Sequence, residues 1–151
     1  MHKNLSIILK ISAVLWVVWG AAHILFGVFI LTPLLQGNTA AAVQGIAGKV
    51  MLSSLQIQYP PAVTAILMQH AFNLGWFGIV TLVGGIFVWR KNKNAIFLCA
   101  IVGGLADTGY FLFVDLGGFA LPPGPQMTYI CAVAITSSFY VYFKSDKLTA
   151  I

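Results

Sequence analysis

A bundle of four transmembrane α-helices, with both termini on the cytoplasmic side, is the fold that the sequence predicts. Three observations carry it. Of the 151 residues, 60% are hydrophobic and only 7% are charged, whereas soluble domains average about 25% charged residues. Apolar stretches recur at about the length of roughly 20 residues that a helix needs to cross a bilayer core of about 30 Å. The cations sit at the ends of those stretches rather than within them. The composition excludes an ordinary water-soluble domain, and it excludes disorder, which needs high charge and low hydrophobicity. The chain reads as one polytopic membrane domain.

The first span is Ile11–Leu31, which holds no charge. The start of the chain resembles a secretory signal, but its apolar run is too long and no A-x-A site follows closely, so it reads as a retained span. The second span is about Val63–Trp89, long enough to tilt. The third, about Ala95–Leu116, carries Asp107 and Asp115. Its Ile, Leu, Phe and Val residues favour insertion by about 5 kcal/mol, against about 3 kcal/mol for one central Asp. The fourth, Met127–Phe143, is short and holds Thr136, Ser137 and Ser138, which are expected to bond back to their own helix. Between the first two spans, Val43, Ile46, Ala47 and Val50 share one helical face and predict a short interfacial helix between Ala40 and Leu55, weakened by Gly45 and Gly48. The segment GGFALPPGPQ predicts a rigid turn before the last span.

Orientation follows from the cations. Lys3 and Lys10 precede the first span, Arg90, Lys91 and Lys93 lie between the second and third, and Lys144 and Lys147 follow the fourth. Only Lys49 lies in a loop on the other side. The positive-inside rule therefore places both termini in the cytoplasm of a bacterial-type inner membrane. Trp89, Tyr140 and Tyr142 fall near the inner interface, where aromatic belts form. The net charge of +5 is explained in this way rather than by nucleic acid, for which a dense basic face is missing.

Depth arithmetic at 1.5 Å per residue brings polar residues of three spans into one layer of the outer half. His23 falls roughly 12 Å deep, His70 roughly 10 Å, Asn73 roughly 15 Å, Asp107 roughly 14 Å and Tyr110 roughly 9 Å. Two imidazoles and one carboxylate are a general acid/base set, a proton relay, or the ligand set of a facial metal site. His23, His70 and Asp107 are therefore the candidate catalytic residues, expected within direct or one-water reach of each other. Asn73, Tyr110, Trp76 and Trp19 are the candidate ligand-lining residues. Hydrogen bonding between helices, at about 0.6 kcal/mol each, explains many such groups without a ligand. A mid-membrane carboxylate such as Asp107 is costly enough to be a functional candidate by default.

The sequence names no cofactor and assigns no metal ligands. Cys99 and Cys131 form no CxxC, and a depth gap of roughly 15–20 Å predicts two free thiols. No G-x-S-x-G, H-E-x-x-H or Walker motif occurs. The segments WVVWGAAHILFG, QHAFNLGWFG and GGLADTGYFLFVDLGGF look like parts of small four-span bacterial membrane proteins. The layout also resembles the sterol-isomerase superfamily in architecture, without a shared motif that would carry a site across. Three functions fit: binding or transforming a small lipophilic ligand by His/Asp acid–base chemistry, translocating a metal or proton through the same layer, or serving as a non-catalytic membrane subunit or assembly factor. The expected partners are the lipid bilayer, a lipophilic ligand and further copies of the chain in a homo-oligomer, with no role for nucleic acid.

Overall fold

A computed structural model describes residues 3–145; Lys147, used above, lies outside them. The described chain is helical without a strand. The elements are α1 (Lys3–Leu35), α2 (Thr39–Ile46), α3 (Leu52–Leu55), α4 (Pro61–Trp89), α5 (Lys93–Tyr110), which continues as a wider π-helical turn over Phe111–Asp115, and α6 (Gly124–Lys144). Three helices are long and apolar enough to cross a membrane: α1, α4, and α5 with its π-helical turn. The 21-residue α6 is not among them. Its Thr136, Ser137 and Ser138 hydroxyls donate to carbonyls one turn earlier, as expected.

Local chemistry sets the helix ends. Gly37 takes the left-handed conformation (φ 76°) that ends α1, and the Asn38 side chain accepts from Ala41 N to start α2. The interfacial helix expected between Ala40 and Leu55 is two short pieces, because the helical path stops at Ile46 before Gly48. Pro61 opens α4 at a position that needs no N–H donor. Between α4 and α5 the chain turns within Arg90–Asn92: Lys91 is left-handed (φ 67°) and Asn92 caps α5 through Ala95 N. In the last connection, Gly118 supplies a second left-handed turn (φ 78°).

The most extensive contact in the molecule joins α1 and α4. Small residues recur at seven-residue intervals on both helices: Ala13, Gly20 and Gly27 on α1, and Ala71, Gly78 and Gly85 on α4. They meet antiparallel. A Cβ on Gly20 would lie 2.6 Å from Gly78 O, one on Gly27 2.8 Å from Ala71 O, and one on Gly85 3.0 Å from Ala13 O. Only residues without bulk allow this backbone approach. α6 also packs on α1, and α5 packs on α4 and α6, around a shared core that includes Trp16, Trp19, Ile96, Cys99, Cys131 and Val141.

The outward faces carry large apolar side chains on every long helix. Leu25 and Phe29 on α1, Ile66 and Phe72 on α4, Leu105 on α5 and Val133 and Phe143 on α6 are all exposed. Cations and aromatic rings gather at one end, with Lys10 Nζ 4.9 Å over the Trp89 ring and Lys93 Nζ 5.5 Å over Tyr142.

Candidate functional site

Two spacings on two helices build the site. On α1, Trp16, Trp19 and His23 follow at intervals of three and four and share a face. On α5, Gly103 and Asp107 are four apart. The absent side chain of Gly103 lets the Trp16 ring in, to within 2.6 Å of where a Cβ would stand. One turn further, Trp19 Nε1–H donates to Asp107 Oδ2 at 2.8 Å. His23 Nε2 lies 3.8 Å from Asp107 Oδ1. Trp19, His23 and Asp107 are 0%, 8% and 5% exposed. From α6, Cys131 closes the cluster beside the same carboxylate.

The geometry fixes the histidine's tautomer. His23 Nδ1 lies 2.9 Å from Trp19 O. A carbonyl oxygen can only accept, so Nδ1 carries the hydrogen and Nε2 is the nitrogen that faces Asp107. A bare Nε2 opposite a bare carboxylate oxygen would set two lone pairs against each other. The arrangement is stable with one proton held between them, on either side. At 3.8 Å the pair stands beyond direct hydrogen-bond range, so less than 1 Å of movement makes or breaks the bond.

Trp19 serves both partners. Its N–H holds one carboxylate oxygen, and its ring stacks on the His23 imidazole with centroids 3.5 Å apart and planes 20° from parallel. A protonated imidazole on an indole face gains cation–π attraction, and a donor to a carboxylate gains charge assistance. The chemistry available is the holding and short transfer of one proton. Trp16, which packs edge-on to Trp19 at 6.3 Å, leaves its buried Nε1 without a partner.

The expected three-residue site is not what forms. His70 is exposed, on the outer surface of α4. The expected depth did not fix the facing: the side of α4 turned to α1 is set by Ala71, Gly78 and Gly85, and His70 stands about 100° round the helix from Ala71. The depth is also different. Ala71 meets Gly27 of α1, which puts His70 above the level of His23. Asn73 and Trp76 pair with each other, Trp76 Nε1–H donating to Asn73 Oδ1 at 3.0 Å, and Trp76 is exposed. The Tyr110 hydroxyl packs against Gly124 at the start of α6. Among the described residues no hydrogen bond joins these groups to His23 or Asp107. Sequence reasoning missed Cys131 as a neighbour of the carboxylate, because α6 begins three residues earlier than the expected fourth span.

Both thiols are free and buried. Their separation along the bundle is much smaller than the predicted gap. Cys131 Sγ lies 3.6 Å from the Cβ position of Gly103, one turn from Cys99. No group of three His, Cys, Asp or Glu side chains among the described residues is arranged to hold a metal ion.

Two grooves lie away from the cluster. One of about 680 Å³ runs between Asn38–Thr39 and Tyr59–Thr64 at the far end from Lys10. The other, about 200 Å³, is an apolar cleft between α1 and α4. Against known proteins, no family model matches the chain, and no characterised protein or solved structure matches it at a significant level.

Proposed function

We propose that the chain is a small inner-membrane protein of four spans, with α6 as the fourth and both termini cytoplasmic, and that it serves as a non-catalytic membrane subunit or assembly factor. Its Trp19–His23–Asp107 cluster is a proton-holding joint between the first and third spans. One observation carries this reading. Each oxygen of Asp107 is addressed by a side chain of α1, and all three residues are buried. Burial of Asp107 leaves little of the carboxylate open to a substrate. The outward apolar side chains of all four long helices support immersion in lipid, since a soluble monomer rarely exposes so much contiguous apolar surface.

The test is Asp107→Asn in a strain lacking the native gene. The Asn oxygen accepts from Trp19 Nε1 and its amide donates to His23 Nε2, so a structural joint survives the change. Rescue equal to wild type is expected. A variant that accumulates and folds normally yet fails to rescue would overturn the proposal and favour acid–base chemistry on a lipophilic ligand. That second reading has one supporting observation, the buried and unpartnered Trp16 Nε1 beside the cluster. A small polar guest there would satisfy it.

A further inference from the structure

The cation-rich end of the bundle has more charge than the protein can neutralise. Lys10, Arg90 and Lys91 are exposed there. The described residues hold two carboxylates, Asp107 and Asp115. Asp107 is committed to the buried cluster, and Asp115 stands in the π-helical turn at the other end of α5. The only ion pair among the described residues is His23–Asp107. The full sequence has eight Lys and Arg residues against three acids, so even with Asp146, which lies outside the described residues, cations remain in excess at this end.

The 200 Å³ cleft between α1 and α4 runs into this end. Its walls include Val14, Val17 and Val18 of α1 with Gly85, Ile86 and Trp89 of α4. Gly85 brings α4 close against α1 at this level, where a Cβ would meet Ala13 O and Val17 N at 3.0 Å, and the cleft lies beside that contact. Along α1 it extends about 7.5 Å, the rise of five residues. That length suits part of one acyl chain. Trp89 forms the mouth, and Lys10 Nζ rests 4.9 Å over its ring. An ammonium on an indole face keeps its N–H groups free for a second partner.

We infer that this cleft binds one acyl chain of an anionic phospholipid of the inner leaflet, with Lys10 holding the phosphate at the Trp89 mouth. The inference rests on the spanning arrangement proposed above. The apolar walls select a chain over a polar ligand, and the uncompensated cations select an anionic headgroup over a zwitterionic one.

The experiment titrates the detergent-purified full chain with dioleoyl phosphatidylglycerol or dioleoyl phosphatidylcholine and counts retained lipids by native mass spectrometry. One phosphatidylglycerol should be retained, about fivefold more tightly than phosphatidylcholine, the worth of one lysine near an anionic surface. Lys10→Gln should abolish that preference, and Val14→Trp, at an exposed wall position, should lower retention of both lipids at least tenfold. Equal retention of the two lipids by wild type, an unchanged preference in Lys10→Gln, or unchanged retention in Val14→Trp would each overturn the inference. So would full competition by free glycerol phosphate, which would make the site one for a headgroup alone. If Lys10→Gln does not fold, the Val14→Trp result decides. Extraction of the chain from native membranes by alkaline carbonate would refute the spanning arrangement itself, whereas a carbonate-resistant chain without lipid preference would refute only this inference.

Discussion

Replacing Trp19 by Phe removes one N–H and keeps an aromatic face against His23. The lost donor leaves Asp107 Oδ2 buried without its partner at 2.8 Å. An orphaned buried acceptor costs about 1–3 kcal/mol, and the smaller ring adds a cavity cost on top. Asp107→Leu orphans Trp19 Nε1 in turn and leaves His23 Nε2 facing an alkyl group. Each single variant should therefore lose about 2–3 kcal/mol. The double variant has neither donor nor acceptor, so both of these orphan costs disappear. Side-chain hydrogen bonds in membranes give coupling energies averaging about 0.6 and reaching about 1.7 kcal/mol. A short, fully buried bond to a carboxylate belongs at the upper end, and a coupling of about 1.5 kcal/mol is expected. The measurement is reversible unfolding in mixed detergent–SDS micelles, followed by far-ultraviolet circular dichroism so that the lost tryptophan does not alter the signal. Additivity of the two single variants to within about 0.5 kcal/mol would refute the reasoning, since independent sites add to that precision.

Gly78→Leu should destabilise by more than about 3 kcal/mol or prevent folding, because a Cβ there already meets Gly20 O and Ile24 N and the obstacle is backbone; the same unfolding titration checks it. His70→Ala should change stability by no more than about 0.5 kcal/mol, as exposed positions do, while His23→Ala should cost several times more. Cys99 and Cys131 should resist maleimide in the folded protein and react fully in SDS, with no loss of two protons in a non-reducing mass spectrum. Single cysteines placed in the Thr32–Pro61 loop should label from outside intact cells and one at Lys91 should not; labelling at Lys91 would reverse the orientation.

The three long apolar helices were legible because hydropathy depends on sequence position alone. Rotation about each helix axis was not, and the assignment of His70 to the bundle interior failed on that point. A signal for rotation was present in the seven-residue recurrence of Ala13, Gly20 and Gly27 and of Ala71, Gly78 and Gly85, which names the faces that meet. Trp19, a ligand-lining candidate by sequence, gives its indole donor to Asp107 because WxxWxxxH meets GxxxD at the level where Gly103 admits Trp16. The Cys131 contact depends on where α6 begins, which the turn GGFALPPGPQ left open by three residues.

The glycine contacts between α1 and α4 also bear on the order in which the protein is made. These two helices precede α5 in the chain, and their backbone contact draws on no later residue. On the proposed arrangement, they can close as a hairpin while α5 is still being synthesised. Trp19 and His23 then stand ready on the open side of that hairpin. Asp107, the costliest residue to bring into lipid, is added about 1–4 s after Trp89 at ordinary translation rates. It arrives to find its indole donor already in position, so the carboxylate need not wait in the bilayer for a partner.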